Sequence, residues 1–376
     1  MKIKIMHILH SLQIGGLENG VVNIVNLLSR EKFEHIICCV KSSGPMADKI
    51  IFKDIQIYEL HKNGKDYFMP LRLMKLIRLV KPDLVHTRNW AAIDGVIGAR
   101  LAGVKNIIHS EHGREVTDPS GRNKLRKTVR KILSPYVSIF VVVSAELRNW
   151  LIDDVGIPES KIIQIINGVD IEKYSIPDDK KFSKSQLGFD PDSFMIGTVG
   201  RLDPVKDYQT LIRAFTLLAN VSVNTIMTNK IKLLIIGFGP EEQKLKTLAE
   251  EYKIIDKIFF LGKRFDIPRL LHSMDVFVLP SVAEGISNTV LEAMASGLPV
   301  IATKIGGNVE LVEHSQTGFL FTPGNYKELA DMLVIYLRNS SLLREHGSMG
   351  RLRIKEKFSL TTMIQKYEEL YSSLTC

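Results

Sequence analysis

Short apolar runs alternate with longer segments of helical periodicity along most of the chain. An apolar run of about four to eight residues between polar turns is typical of a buried strand, and an apolar stripe with a period of about 3.6 residues is typical of a packed helix. In the first half the predicted strands are 3–9, 35–40, 55–60, 83–87, 106–111, 138–144 and 161–166. In the second half they are 194–200, 232–239, 257–262, 275–280 and 298–303.

Strands that are apolar throughout and alternate with helices indicate parallel sheets covered by helices on both faces. A polar segment, 177–192, separates the two series of strands, and 376 residues exceed what one hydrophobic core usually supports. We therefore predict an α/β fold of two doubly wound, Rossmann-like domains that face a cleft, with residues 1–170 in the first and residues 171–358 in the second. The last helical pattern, within 359–376, is expected to pack back on the first domain.

The composition is that of an ordinary soluble protein, with 45% hydrophobic and 24% charged residues. Three cysteines, two of them adjacent at Cys38 and Cys39, do not make a disulfide framework and indicate a reducing compartment. The N-terminal segment 1–16 combines a short apolar run with histidines and a glycine pair, so it predicts a first strand rather than a signal peptide. We expect a cytoplasmic protein without a membrane span.

The net charge of +9 lies almost entirely in the first half. Residues 1–176 hold 26 basic and 18 acidic residues, whereas residues 177–376 hold 24 and 23. Two segments, 69–82 and 121–136, supply much of the excess, and the second has six basic residues and no acidic one. Such segments attract an anionic membrane surface, nucleic acid or an acidic substrate, although an ordinary solvated helix face fits as well. Apart from Tyr136 they lack interleaved aromatic residues, so nucleic acid is not an expected partner.

Glycines stand where two predicted strands lead into helices. Gly15 and Gly16 follow the first strand, and Gly237 and Gly239 follow the strand at 232–239. A helix N-terminus at a strand end is a common place for a phosphate, and glycine lets the backbone approach the ligand closely. A tight turn between strand and helix explains the same residues without a ligand.

Pairs of cations follow two predicted strands of the second half. Arg201 and Lys206 lie in GTVGRLDPVKD, and Lys263 and Arg264 lie in LGKRFDI. Two cations at a strand's carboxyl end suit a diphosphate, and the second pair suits contacts to a nucleotide base. Local ion pairs with neighbouring aspartates and ordinary loop composition are the alternatives.

The stretch EGISNTVLE places two carboxylates around the start of a predicted helix. Glu284 stays in the loop at a strand end, and Glu292 lies just over one turn into the helix. The first backbone amides of that helix, at Ser287, Asn288 and Thr289, would present donors to a phosphate. This spacing predicts two separate contacts to one ligand rather than a juxtaposed acid pair, although an exposed first-turn carboxylate explains Glu292 equally well.

Histidines near two strand ends of the first half are further candidates. His86 and Arg88, in HTRN, are expected to face an acceptor at the carboxyl end of their strand. His109 and His112, in HSEH, lack a partner set typical of zinc, so no metal site is expected.

The order of these motifs resembles that of glycosyltransferase family 4. The matching residues are the glycine pair at 15–16, NGVD at 167–170, GRLxxxKD at 200–207, IGxGPE at 236–241, and the paired glutamates of EGISNTVLE followed by AMASGLPVIAT. The segments HTRN and SEHGRE further resemble a bacterial subgroup of exopolysaccharide sugar transferases. The resemblance implies the two-domain GT-B fold and retaining transfer from a UDP- or GDP-linked sugar to a glycan or lipid-linked acceptor.

The family pattern implies a role for each matching residue. Glu292 would hold the ribose and Glu284 the donor sugar, while Arg201 and Lys206 would neutralise the diphosphate. Gly16 would lie against a phosphate or the acceptor, and His112 would touch the donor sugar. Neither a metal cofactor nor a protein nucleophile is implied. The expected surroundings are the inner face of the cytoplasmic membrane, to which the basic segments would dock.

Two alternatives remain open at this point. The same fold also carries sugar-nucleotide epimerases, and fold alone does not separate them from transferases. A non-catalytic subunit that binds a nucleotide sugar within an assembly complex is the other.

Overall fold

The chain forms two compact units in the computed structural model, which describes residues 2–114, 117–118, 120–176, 179–220 and 230–375. The first unit comprises Met1–Gly168 and Leu360–Cys376, and the second comprises Val169–Ser359. The change from one unit to the other therefore falls within NGVD, two residues before the predicted boundary at 170.

The first unit is built on a seven-stranded parallel sheet with the order β3-β2-β1-β4-β5-β6-β7. Its strands are β1 Ile3–Leu9, β2 Phe33–Cys39, β3 Gln56–Glu59, β4 Leu84–Arg88, β5 Asn106–Glu111, β6 Ile139–Val142 and β7 Ile162–Gln164. Its first helices are α1 Gly16–Leu27, α2 Met69–Val80, α3 Asp94–Ala102, α4 Lys124–Leu133 and α5 Ala145–Asn149, which continues into a π-helical segment, Trp150–Val155. Each predicted strand of this half is present, with ends shifted by up to two residues.

The second unit is built on a six-stranded parallel sheet with the order β10-β9-β8-β11-β12-β13. Its strands are β8 Phe194–Val199, β9 Ile231–Ile236, β10 Ile258–Gly262, β11 Val276–Leu279, β12 Val300–Thr303 and β13 Gly318–Phe321. The two parallel sheets confirm the predicted α/β fold class. β13 was not predicted from the sequence, because its four residues, GFLF, are too few to show a period.

Helices of the second unit alternate with its strands. They are α6 Lys180–Gln186, α7 Tyr208–Asn220, α8 Glu242–Glu251, α9 Ile267–His272, α10 Asn288–Ala295, α11 Asn308–Leu311, α12 Tyr326–Arg338 and α13 Ser340–Lys357. Among the described residues, no helix combines the length and the apolar character needed to cross a bilayer.

The C-terminal helix, α14 Leu360–Thr375, belongs to the first unit. Its apolar face, which includes Met363 and Tyr367, packs into a core cluster with β1 and α1 residues such as Ile5 and Ile24. The last helix of the chain therefore completes the core of the domain in which the chain begins.

Polar side chains are buried under the same helix. The hydroxyl of Tyr371 and Nδ1 of His86 form a hydrogen bond of 2.8 Å, and Nε2 of His86 contacts the Ser110 hydroxyl. Burial and the nearby Arg88 guanidinium hold the pKa of His86 well below its ordinary range, and burial raises the pKa of Tyr371. Both groups are thus neutral near neutral pH, and the hydrogen bond replaces the water that each lost on burial.

We predict that Tyr371→Phe destabilises the protein, because it removes the shorter of two buried hydrogen bonds at Nδ1 of His86 and leaves the one from the Arg88 guanidinium at 3.2 Å. The expected loss is about 0.5–1.5 kcal/mol of unfolding free energy. Denaturant unfolding of the full chain measures it.

Tyr58→Phe is the matched control, since the Tyr58 hydroxyl donates to Gln56 on the exposed side of the sheet at 2.8 Å. Its effect should remain within about 0.5 kcal/mol. Equal effects of the two changes would show that the buried hydrogen bond does not stabilise the fold.

Candidate active site

The loop that follows β8 carries the two cations predicted to meet a diphosphate. Arg201 pairs locally with Asp203, as the ion-pair alternative expected, and its side chain remains 61% exposed. Lys206 behaves differently. It ends a short 3₁₀ turn, Pro204–Lys206, and its ammonium lies 2.5 Å from Oε1 of Glu284.

The Lys206–Glu284 pair joins the loops of two adjacent strands, β8 and β11. Oε1 of Glu284 also accepts a hydrogen bond from the Ser281 hydroxyl at 2.6 Å, and the Val282 amide donates to the Val205 carbonyl at 2.9 Å. Both charged side chains are largely buried. An ammonium has three donors, so Lys206 can keep Glu284 and still bind a phosphate oxygen. The sequence indicated both residues but not their contact.

Helix α10 begins directly after the Glu284 loop. Ser287 is its N-cap, and the Ser287 hydroxyl accepts from the Val290 amide at 3.3 Å and contacts the Thr289 hydroxyl at 3.1 Å. The predicted helix start at residues 287–289 is confirmed. The positive end of the helix dipole therefore lies next to the loop that carries Glu284 and its partner lysine.

Glu292 lies one turn into α10 as a half-buried carboxyl group. Burial raises its pKa to about 7, against the opposing effects of a hydrogen bond from the Tyr174 hydroxyl and of the Lys173 charge. Burial in turn raises the pKa of Tyr174. A carboxyl group held in an environment that disfavours its charge is more common in binding sites than on ordinary helix surfaces. The alternative of an exposed first-turn carboxylate is therefore wrong.

Gly237 and Gly239 bring the loop after β9 against the loop after β8. Gly237 has a φ of +144°, and a Cβ there would lie 1.8 Å from the Gly200 carbonyl oxygen. A Cβ at Gly239 would lie 2.6 Å from the Leu202 carbonyl oxygen. These glycines hold the Arg201 loop in place, which is a structural reason for them independent of any ligand.

The second pair of cations is less well placed for a base than the sequence predicted. Arg264 is held by Asp266 through two hydrogen bonds of 2.8 and 2.6 Å. The Lys263 ammonium lies 5.1 Å from the ring of Phe265 and 5.8 Å from that of Phe238. Both rings are mostly exposed at strand ends, at 77% and 53%. These aromatic residues were not among the predicted site residues, although they follow β9 and β10 in the sequence.

The candidate site residues of the first unit differ in how clearly they indicate a ligand. Gly15 is the N-cap of α1 with an extended φ of −170°, so neither it nor Gly16 shows a backbone conformation that distinguishes phosphate binding from a tight turn. His112 gives a clearer signal. Its backbone amide donates to Oδ1 of Asn89 at 2.7 Å, whereas both ring nitrogens are buried and without a hydrogen-bond partner among the described residues.

The imidazole of His112 is electrically neutral. Burial and the charge of Arg88 lower its pKa to about 3. A buried, neutral ring with unused nitrogens is costly unless something else satisfies them. His112 follows β5 at its carboxyl end, where ligands of doubly wound sheets bind.

The predicted contact of His86 and Arg88 with an acceptor is corrected by the structure. His86 is fully buried and Arg88 is 1% exposed. The guanidinium of Arg88 instead contacts the rings of His7 and His86 at 3.1 and 3.2 Å. Their strand, β4, is central in the sheet, so both of its faces are covered.

One basic residue of the segment 121–136 is buried, contrary to the expectation that the whole segment faces a surface. Arg130 is 1% exposed, and its Nε donates to Glu111 at 2.5 Å. The guanidinium also lies about 5 Å from the rings of Trp90 and Trp150, at 5.2 and 5.1 Å. Five rather than six basic residues of the segment therefore remain for a surface.

Two family models match the chain, one described as Glycosyltransferase Family 4 over residues 14–173 and one as Glycosyl transferases group 1 over residues 179–353. The chain is also similar to UDP-Gal:α-D-GlcNAc-diphosphoundecaprenol α-1,3-galactosyltransferase of Escherichia coli. The two are 30% identical over 382 residues, which cover 98% of this chain and 97% of that relative. The chain belongs to the family 4 glycosyltransferases.

The chain is also similar to a second relative and to a solved structure. N-acetyl-α-D-glucosaminyl L-malate synthase of Bacillus anthracis is 28% identical, with 90% of this chain and 89% of the relative covered. The crystal structure of Anabaena HepE in complex with UDP and glucose has a TM-score of 0.85 at 24% identity and covers 99% of this chain and 100% of its own. The glycosyltransferase thus has the fold of that structure, and its Lys206, Glu284 and Glu292 lie along one edge of the second sheet.

We predict that Glu292→Gln stabilises this glycosyltransferase above neutral pH. The folded-state pKa of about 7 is above the ordinary value of 4.5, so the native protein loses stability as the pH rises from about 4.5 to about 7, and the full loss is present above 7. At about pH 8 the change should add up to about 2–3 kcal/mol, and at about pH 5, where the native carboxyl group is protonated, it should add little.

Calorimetric unfolding of the full chain at the two pH values measures this effect. Glu250→Gln, which replaces an exposed glutamate on α8, is the control and should shift neither transition. A Glu292→Gln protein that is equally stable or less stable than the unmodified one at the higher pH would contradict the prediction.

Proposed function

We propose that this glycosyltransferase moves a sugar from a nucleotide-diphosphate donor to a glycan or lipid-linked acceptor, with retention at the anomeric carbon and without a metal ion. The observation that carries the proposal is the Lys206–Glu284 pair of 2.5 Å beside the start of α10. The pair places a cation next to a carboxylate that accepts hydrogen bonds from hydroxyl groups, at the carboxyl edge of one sheet. A sugar diphosphate needs both of these groups.

Different residues of the second unit bind different parts of the donor. Lys206 and Arg201 bind the diphosphate, with the first backbone amides of α10, at residues 287–289, beside it. Glu284 accepts hydrogen bonds from the sugar, and Glu292 accepts them from the ribose. Gly237 and Gly239 keep the cationic loop in position. Lys263 and the rings of Phe238 and Phe265 suit contact with the base.

Charge development on the leaving diphosphate decides the rate. As the bond from the anomeric carbon to the phosphate oxygen breaks, negative charge grows on that oxygen, and a preorganised cation stabilises it. The acceptor oxygen bonds to the same face of the anomeric carbon, and its proton passes to the departing phosphate. No side chain serves as nucleophile in this scheme. Neutral His112, at the carboxyl edge of the first sheet, can donate a hydrogen bond to a sugar hydroxyl and thereby satisfy one of its ring nitrogens.

The names of the relatives support a role in bacterial exopolysaccharide or cell-surface polysaccharide synthesis. The Escherichia coli enzyme, by its name, transfers galactose from UDP-Gal to a sugar carried on diphosphoundecaprenol. Curated relatives also include a capsular polysaccharide glycosyltransferase of Staphylococcus aureus. Both names describe transfer, which favours a transferase over an epimerase. We propose a lipid-linked acceptor for this chain as well.

A panel of UDP- and GDP-linked sugars, offered with an N-acetylglucosamine-diphospholipid acceptor, tests the proposal. Mass spectrometry should show an acceptor that is heavier by one sugar for at least one donor. An unchanged acceptor with every donor, together with an isomerised donor sugar, would identify an epimerase instead. A subunit that only binds the donor would change neither compound.

We predict that Lys206→Met lowers kcat/KM by about 10²–10³, or roughly 3–4 kcal/mol of transition-state stabilisation. The methionine keeps the length of the side chain but removes the charge that faces the diphosphate. Initial rates with the active donor measure the effect. Lys327→Met, at an exposed position of α12, is the control and should retain the full rate. Similar rates for the two variants would remove Lys206 from the mechanism.

We also propose that the first unit docks on the inner face of an anionic cytoplasmic membrane. Helix α4 exposes Leu125 and Ile132 among its lysines, at 69% and 63%, and α2 exposes Leu79 at 74%. Apolar and basic side chains exposed on one helix suit the interface between lipid headgroups and acyl chains.

We predict that replacing Lys124, Lys127 and Lys131 by glutamine strongly reduces co-sedimentation with vesicles that contain anionic lipid. Each basic residue near such a surface contributes about 1 kcal/mol, so three should weaken binding by roughly 10²-fold. Replacing Lys244, Lys246 and Lys327 of the second unit changes the net charge equally and should leave sedimentation unchanged. Equal losses in both variants would indicate a nonspecific charge effect instead.

A further inference from the structure

The first unit contains a pocket that is not part of the proposed donor site. Its volume is about 490 Å³, within the range of roughly 300–1,000 Å³ typical of small-molecule sites. His10, Lys41 and Lys62 line it just after β1, β2 and β3, and Trp90 lines it after β4. The pocket therefore lies along the carboxyl edge of the sheet, where ligands of doubly wound folds bind.

The pocket has more cations than its carboxylates can neutralise. Asp94 pairs with Lys62 at 2.9 Å, and Asp66 is already engaged by Arg72 at 2.7 Å. Lys41 and Lys65 line the same space without a carboxylate partner among the described residues. Unneutralised lysines that converge on a cavity favour an anionic ligand with several acceptor oxygens.

His10 adds a donor without adding a charge. Burial, followed by the charges of Lys41 and Lys62, lowers its pKa from the ordinary value. A neutral imidazole can donate one hydrogen bond and accept another. The polar groups of the pocket therefore suit a phosphate that is attached to a hydroxyl-bearing group.

Two aromatic side chains supply a different surface in the same pocket. The Trp90 indole is half-buried, with the guanidinium groups of Arg126 and Arg130 at 5.4 and 5.2 Å from its ring. Tyr67 is 83% exposed. Flat, amphipathic rings pack well against the apolar face of a sugar. The pocket thus joins a phosphate-binding part to a sugar-binding part.

We propose that this pocket binds the acceptor, with Lys41, Lys62 and Lys65 on the acceptor's diphosphate and with Trp90 and Tyr67 against the sugar attached to it. The inference rests on the proposed function in that the acceptor is a lipid-linked sugar diphosphate. It moves the acceptor contact from the buried His86 and Arg88 to residues that line an accessible cavity.

Inorganic pyrophosphate is the first probe, and tryptophan fluorescence is the readout, because both tryptophans lie in the first unit and Trp90 lines the pocket. UDP is present at saturation, so that the second unit does not take up the probe. Lys41→Gln and Lys65→Gln should each weaken pyrophosphate binding about tenfold, as expected for a lost hydrogen bond to a charged group. Lys53→Gln, at an exposed lysine outside the pocket, should bind as the unmodified protein does.

A kinetic arm uses a water-soluble, short-chain N-acetylglucosamine-diphospholipid. Each pocket variant should raise the KM for this acceptor about tenfold, with a much smaller effect on the KM for the donor. Vesicles of anionic lipid without the sugar diphosphate should not compete for the fluorescence signal. Competition by those vesicles would assign the lysines to lipid headgroups and overturn the proposal.

The outcomes separate this inference from the proposed function. Lysine-dependent pyrophosphate binding in a protein that transfers no sugar would leave the pocket intact and refute the transferase. Sugar transfer with a KM for the acceptor that Lys41→Gln and Lys65→Gln leave unchanged would refute the pocket assignment alone. Pyrophosphate binding of equal strength in both variants and in the unmodified protein would refute it as well.

Discussion

All strands of both sheets run parallel, and this constraint decides where the chemistry of the protein can lie. In a parallel sheet the carboxyl ends of all strands meet at one edge, so the loops that follow them are neighbours however distant they are in sequence. Lys206 and Glu284 are 78 residues apart and yet in contact for this reason. The first unit follows the same rule, since its cationic pocket collects residues from the ends of four strands.

The carboxyl edges of both sheets carry groups whose burial or charge lowers the stability of the fold. Glu292 is kept where its charged form is disfavoured, and the nitrogens of His112 are buried without a partner in the described structure. Lys41 and Lys65 line the pocket of the first unit without a carboxylate partner among the described residues. A sequence selected for stability alone would replace such groups with apolar or paired residues. Their concentration at the carboxyl edges fits the proposed transfer from a charged donor to a charged acceptor.

The sequence predicted the parts of the molecule that local patterns determine. Strand positions, the helix start at residue 287 and the division of the chain near NGVD follow from runs of apolar residues and from capping residues. The resemblance to family 4, carried by motifs in a fixed order, supplied the activity, and the relatives confirmed that membership. β13 was missed because four apolar residues between turns are equally compatible with a loop.

Neither the burial of individual side chains nor the pairing of distant loops could be predicted from the sequence. Nothing local distinguishes Arg130, buried between two indole rings, from Lys131, which is exposed on the next position of the same helix. His86 and Arg88 follow the pattern of ligand-facing residues, but the final helix covers His86, and its position in space depends on the whole fold. For the same reason the pocket of the first unit became visible only when four strand ends were placed side by side.

The central claim is that Lys206 binds the second phosphate of a nucleotide in the second unit. Calorimetric titration of UDP and UMP into the unmodified protein and into Lys206→Met tests it most directly, since the two nucleotides differ only in that phosphate. The unmodified protein should prefer UDP by about 10–100-fold, as expected for one or more charge-assisted hydrogen bonds, and the variant should lose most of this preference. An undiminished preference for UDP in the variant, or equal binding of the two nucleotides by the unmodified protein, would contradict the account.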